Sequence, residues 1–187
     1  FVNKLLSKQS LIRFCDYGSG EGNFIFELGR LNRKIKFYFT EASTKNYRNI
    51  LKTYKNKVTG YNGIIEDVTK NKKFKNFDAA SLLWTLCNCT DPIGVLKSIH
   101  ATLRDNGLLI ISESSRILVP FKKPIYNFFN EQLEIKNTHP WFFSYNSLSN
   151  LLEICGFEII KHNRFYDEND LVVVVKKKKL PFLPKIK

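Results

Sequence analysis

The chain has 187 residues and 43% hydrophobic side chains, enough to fill one core, and is expected to form a single domain over residues 1–187. Its longest apolar runs, residues 107–111 and 171–175, fall far short of the roughly 20 residues that cross a bilayer, so no helical membrane span is expected. Lys and Arg outnumber Asp and Glu by 30 to 17, a net charge of +13. Because the lysines are interleaved with asparagines, a solvated lysine-rich surface is the expected reading, with steering of an anionic ligand, nucleic acid or membrane surface as the alternative.

The sequence begins with Phe1 and holds no Met, which suggests a fragment or processed product. No secretory signal pattern is visible in it, so the cytoplasm is the expected compartment. Of the four cysteines, Cys87 and Cys89 form a CxC pair without a second ligand pair, and no metal site is expected.

Leu11, Ile12, Phe14 and Cys15 make a short buried run that ends in Asp16 and then Gly18-Ser19-Gly20, which predicts a strand entering a tight turn. Phe24, Ile25, Leu28 and Leu31 recur at helical spacing over residues 23–31. Residues 35–39 alternate and stop at Thr40 and Glu41, a second strand. Residues 45–55 set Tyr47, Ile50, Leu51 and Tyr54 on one helical face, and residues 58–65 supply a third extended piece. Residues 79–86 are a continuous apolar run of the kind buried on both faces of a parallel sheet. Residues 93–103 predict a helix stopped by Asp105-Asn106-Gly107, before a fifth strand over 108–112. Residues 148–155 predict a helix closed by Gly156, and 157–161 with 171–175 predict an antiparallel pair. Lys176 to Lys179 read as the start of a solvated basic tail over 176–187. This order predicts an α/β fold: a Rossmann-like open, mostly parallel sheet with helices on both faces and a C-terminal antiparallel hairpin.

In such sheets ligands bind at the carboxyl ends of the strands, near the point where strand order reverses. The loop there reads Asp16-Tyr17-Gly18-Ser19-Gly20-Glu21-Gly22-Asn23. Its glycines admit positive φ and close approach of a ligand to the main chain, and the helix that follows offers free N–H groups. A dinucleotide site needs GxGxxG; here the spacing is GxGxG, and Glu21 would repel a diphosphate. An acid just ahead of the first glycine fits a ligand that carries an ammonium group.

This loop resembles the DxGxGxG motif of class I S-adenosylmethionine-dependent methyltransferases. The resemblance implies that Gly18 and Gly20 line the cofactor and that Asp16 orients the loop and the cofactor amine. It implies that Glu41, with Ala42 beside it, accepts hydrogen bonds from both ribose hydroxyls, two oxygens against two vicinal donors. A helix-capping carboxylate ahead of Ser43 and Thr44 is the alternative. The segment Gly63-Ile64-Ile65-Glu66-Asp67-Val68 resembles the end of the family's third strand, but Ile64 stands where an acid often meets the adenine amine. Asn62, Ile65 and Glu66 are the substitutes. The run FDAASLLWTLCNCTDP resembles strand four and its loop, which puts Trp84 or Thr85 at the methionine end; Cys87-Asn88 stands where relatives often carry Glu-His.

The closing segment Thr138-His139-Pro140-Trp141-Phe142-Phe143-Ser144 is similar to that of small-molecule methyltransferases, including those of surface-sugar pathways. Between Ser112 and Thr138, Phe121, Tyr126, Phe128 and Phe129 read as core packing, with a cover over the acceptor as the alternative. Arg116, His139 and Tyr145 are the acceptor-side candidates, since Arg can hold an anion bidentately and His can take a proton near neutral pH. His139 is the candidate base, the alternative being a turn set by Pro140. The resemblance implies transfer of a methyl group from S-adenosylmethionine to a small-molecule acceptor, a sugar or sugar-linked metabolite, anionic if the basic surface assists, with S-adenosylhomocysteine as product. The alternatives are an RNA methyltransferase and a non-catalytic cofactor-binding domain; nucleic acid is not the expected partner.

Overall fold

In the computed structural model, which describes residues 11–114, 140–163 and 170–178, the chain alternates strand and helix until a closing hairpin. β1 (Ile12–Tyr17), α1 (Asn23–Leu31), β2 (Ile35–Glu41), α2 (Thr44–Tyr54) and β3 (Val58–Asn62) build one half. β4 (Phe77–Leu83), α3 (Pro92–Thr102), β5 (Leu103–Ser114), α4 (Tyr145–Ile154), β6 (Phe157–His162) and β7 (Asp170–Lys177) build the other. The sheet order is β3-β2-β1-β4-β5-β7-β6. β1 pairs in parallel with both β2 and β4, so the strand order reverses at β1 and opens a crevice at the carboxyl ends of these strands. β7 runs antiparallel between β5 and β6.

Alternation along β1 explains the two layers. Ile12 and Phe14 join a core with Ile25 and Leu28 of α1 and Ile50 of α2. Cys15 and Tyr17 join the opposite core with Val95, Leu96 and Ile99 of α3 and Leu148 and Leu152 of α4. Each such fully buried aliphatic or aromatic side chain contributes about 1.5–3 kcal/mol.

Local capping sets the helix starts. Asp91 accepts the Gly94 N–H at 2.9 Å, with Pro92 in the first turn of α3. Ser144 and Ser147 form a reciprocal capping box that starts α4 at Tyr145, ahead of the apolar spacing that predicted residue 148.

Four boundaries differ from expectation. The third strand ends at Asn62, and a 3-10 turn over Ile65–Lys70 takes up Ile65, Glu66 and Asp67. The fourth ends at Leu83, because Trp84 adopts φ 47° and a 3-10 turn over Leu86–Asn88 follows. Asp105-Asn106-Gly107 does not end the segment. It bulges within β5, where the pairing steps from Phe77↔Leu103 to Ala79↔Leu108 and Asn106 takes φ 59°. The expected basic tail begins too early: Lys176 and Lys177 belong to β7, Lys177 Nζ donates to the Leu103 carbonyl at 2.7 Å, and the Lys178 N–H donates to the Gly156 carbonyl at 2.9 Å.

Candidate functional site

The glycine loop after β1 is pinned to the end of β2. The N–H groups of Gly18 and Ser19 both donate to the Thr40 carbonyl at 3.0 Å, and Gly20 N–H donates to Glu41 Oε2 at 2.8 Å. Gly18, Gly20 and Gly22 all take positive φ, between 55° and 84°, which only glycine adopts without strain. A Cβ on Gly18 would lie 2.5 Å from Thr85 Cγ2, so the loop after β4 presses against the loop after β1. A Cβ on Gly20 would meet nothing within 4 Å, so the loop's open side lies there, beside the Glu41 carboxylate.

Glu41 is 9% exposed, and its second oxygen accepts the Ser43 N–H at 2.8 Å. The helix cap is Ser43, whose hydroxyl accepts the Asn46 N–H at 3.4 Å, so the expected alternative of Glu41 as the capping residue does not hold. A carboxylate has about four lone-pair positions, and two main-chain donors leave room for two more. Asn62 closes the same corner: its Nδ2 donates to the Glu41 carbonyl at 2.8 Å and to the Ala42 carbonyl at 3.3 Å. Ile64, 54% exposed, offers an apolar face beyond it, whereas Ile65 is buried in the core. Glu66 accepts Ser98 Oγ through its carbonyl at 3.1 Å, and its charge reaches Cys89. Burial pushes the Cys89 thiol up to about 12, with Glu66 and Glu113 adding.

Asp16 is 3% exposed and braces β1 to β4, accepting Ser81 Oγ at 2.6 Å. Burial pushes its carboxyl up to about 6; the Ser81 and Ser19 hydrogen bonds oppose this and the Glu41 charge adds to it. An acid poised there changes charge within the physiological range.

The loop after β4 carries both residues expected at the methionine end, Trp84 and Thr85. The Trp84 indole N–H reaches across β5 to Asp170 at the start of β7, 3.2 Å away. It is Thr85 that meets the glycine loop, through Gly18. Glu113 holds this loop in place, and no sequence signal singled it out. It is fully buried, and its carboxylate accepts the N–H groups of Thr85, Leu86 and Cys87 at 3.2, 2.7 and 3.3 Å. Burial raises its pKa and these donors oppose the rise.

Trp141 extends the same wall. Its N–H donates to the Cys87 carbonyl at 3.2 Å and its Nε1 to the Cys89 carbonyl at 2.8 Å, with the ring 43% exposed. Of the acceptor-side candidates, Tyr145 packs its ring at a tilt against His162 of the edge strand β6, ring centres 4.8 Å apart. Arg116 and His139, and the aromatic stretch with Phe121, Tyr126, Phe128 and Phe129, lie outside the described residues.

A family profile described as a methyltransferase domain matches residues 1–162. No curated protein matches the sequence. Among solved structures, the plantazolicin methyltransferase BamL, in complex with a triazolic desmethylPZN analog and SAH, is similar with TM-score 0.73 and 14% identity over 95% of this chain and 80% of that one. A SAM-dependent methyltransferase from Methanosarcina mazei gives TM-score 0.68 and 17% identity over 96% of this chain and 99% of that one. The cyclase SpnF gives TM-score 0.74 and 14% identity over 95% and 78%.

Proposed function

Because the chain belongs to the methyltransferase-domain family, we propose that its carboxyl-edge crevice binds S-adenosylmethionine and serves methyl transfer to a small-molecule acceptor, with S-adenosylhomocysteine as product. One observation carries this reading: Gly20 N–H on Glu41 Oε2 at 2.8 Å, which brings the glycine elbow and the acidic end of β2 to one point beside open space. Glu41 takes the ribose hydroxyls with its remaining lone pairs. Gly18 and Gly20 present main chain to the methionine portion, and the ionised Asp16 favours its ammonium group. Ala42, Asn62, Ile64 and Glu66 border the adenine end, with Ile65 contributing only its main chain, and Thr85 and Trp84 border the loop opposite.

When bound, this cofactor supplies an electrophilic methyl group on a sulfonium that is its own leaving group. The task left to the protein is alignment and exclusion of water. The wall formed by residues 84–89 and Trp141 borders the acceptor side, with Tyr145 further out and Arg116 and His139 as the remaining candidates. Within small molecules, a hydroxyl of a sugar or sugar-linked metabolite is our reading, and it rests on the likeness of the segment Thr138-His139-Pro140-Trp141-Phe142-Phe143-Ser144. A hydroxyl acceptor calls for a base, the role assigned to His139.

The test is formation of S-adenosylhomocysteine, read by mass spectrometry, on incubation with S-adenosylmethionine and a panel of sugars, nucleotide sugars and non-sugar hydroxyl and amine metabolites. Product with a sugar-bearing acceptor is expected. Product only with the non-sugar hydroxyl or amine acceptors removes the sugar reading. Tight cofactor binding without product from any acceptor points to a non-catalytic binding domain.

A further inference from the structure

Nine cations of the described residues line two concavities around the amino-terminal ends of β1, β2 and β3. Arg13, Lys36 and Thr59 stand at the second positions of β1, β2 and β3, and with the loop around residues 72–76 they line a concavity of about 550 Å³. Its described lining carries five cations, Arg13, Lys36, Lys72, Lys73 and Lys75, and no carboxylate. Arg13 braces the loop that presents the last three: its Nη1 donates to Tyr38 Oη at 2.6 Å and its Nη2 to the carbonyls of Lys73 and Lys75 at 3.2 and 3.1 Å.

Lys36 also borders a larger groove of about 1400 Å³, where Arg30, Arg33, Lys55 and Lys57 add four cations, again without a carboxylate among the described residues. Phe26, 48% exposed, lines this groove with the Arg30 guanidinium 5.8 Å from its ring centre. The bordering acids are engaged: Glu27 by Arg30 at 3.5 Å, and Asp78 by Arg104 and by the Arg13 N–H, each at 2.7 Å. Among the described residues, Lys36, Lys72, Lys73 and Lys75 form no ion pair.

Like charges closer than the Debye length of about 8–10 Å repel, and a surface that is basic by composition alone would carry its acids among them. Two linked basic concavities free of acids instead match a ligand whose phosphates repeat along a chain and whose counterions are released on binding. An exposed aromatic ring flanked by an arginine adds a stacking platform. A concave, divided surface suits a thread better than a flat bilayer. We propose that this amino-terminal edge of the sheet docks the phosphodiester backbone of a single-stranded nucleic acid, with phosphates in the two concavities and a base on Phe26. The six residues of β1 set the Arg13 concavity about 20 Å from the crevice, whereas Phe26, whose N–H donates to the Gly22 carbonyl at 3.1 Å, stands one helical turn after the glycine loop. Phosphate docking in the Arg13 concavity is therefore independent of what the crevice binds.

The test uses fluorescence anisotropy of the full chain with a fluorescein-labelled 20-nucleotide RNA of mixed sequence, across a salt series, and with DNA of the same sequence. Two variants of equal net charge are compared: Lys72→Glu with Lys75→Glu, and Arg48→Glu with Lys97→Glu on helices outside both grooves. The first is expected to weaken binding roughly tenfold or more and to lower the salt slope by about 1–2, the second to weaken it less than about threefold. Phe26→Ala is expected to weaken it about fivefold or more at unchanged salt slope. Matching thermal melts by circular dichroism show that both charge variants fold. Equal loss in the two, no salt-dependent binding by the natural sequence, or binding to vesicles of phosphatidylserine and phosphatidylcholine but not to RNA overturns the proposal. Tighter binding of RNA than of DNA assigns the ligand to RNA; equal binding leaves it as the shared phosphodiester backbone.

Discussion

The two ends of the sheet are built from the same strands and differ in what their side chains do. At the carboxyl edge, Asp16, Glu41 and Glu113 are 3%, 9% and 0% exposed, and each is held by short hydrogen bonds to neighbouring main chain or hydroxyl groups. At the amino edge the residues lining the two concavities carry lysines and arginines only, with Lys72, Lys73 and Lys75 exposed to solvent. Buried charge with fixed partners makes an organised, substitution-sensitive site; exposed charge acts through its field, at little cost to the fold. The lesson of the difference is that the net charge of +13 says little about the crevice, whose nearest titratable groups are acids.

The largest effect is expected from removing the buried carboxylate behind the β4 loop. Glu113→Ala leaves three enclosed N–H groups without an acceptor and is expected to cost about 3–5 kcal/mol, seen as a lower urea midpoint. A loss below about 1 kcal/mol would show that the 85–87 turn holds itself. Next come the two glycines. Gly18→Ala meets Thr85 at φ 69° and is expected to cost about 2–3 kcal/mol. Gly20→Ala, at φ 55° with open space before it, is expected to cost about 1 kcal/mol while impairing cofactor binding more strongly. Equal stability losses would contradict the contact between the two loops.

A smaller change tests the burial of Asp16. Its carboxyl sits near 6 against an ordinary 3.8, so the folded state binds the proton more tightly than the unfolded one. Stability from this group is therefore largest at low pH and falls as pH rises from about 4 to about 6, then levels. Asp16→Asn, which keeps the Ser81 hydrogen bond without the charge, is expected to stabilise by about 1–2 kcal/mol at pH 7.5 and by nothing at pH 4, while weakening cofactor binding. Destabilisation at pH 7.5 in thermal melts would show that the carboxylate is needed in its ionised form. The smallest effect belongs to the other edge: Lys72→Glu with Lys75→Glu is expected to shift stability by under about 0.5 kcal/mol and to leave cofactor affinity unchanged. A matching loss of cofactor affinity would mean that the two ends are coupled.

The glycine elbow and Glu41 were legible because their chemistry is local: a strand, a turn that needs positive φ, and an acid closing the next strand. The alternating and helical periods likewise gave the sheet and the parallel half. What was not legible depends on partners far apart in sequence. Glu113 reads as an ordinary polar residue at a strand end, since its three donors come from residues 85–87. Trp84 reads from the sequence as a loop residue without a partner, because its hydrogen-bond partner Asp170 is placed by the insertion of β7 between β5 and β6. Lys177 reads as tail because nothing near it in sequence reveals the Leu103 carbonyl that anchors it. The basic edge was read as compositional, because its cations come from separate segments that only the folded sheet collects.

The central claim is that the glycine loop and Glu41 form one adenosyl-binding corner. Isothermal titration of S-adenosylmethionine into the natural sequence and into Glu41→Ala tests it most directly. Two charge-assisted hydrogen bonds to the ribose are worth about 3 kcal/mol together, so the account predicts saturable one-to-one binding that weakens on the order of a hundredfold in the variant. Equal affinity in the two proteins, with both shown to be folded, would contradict it.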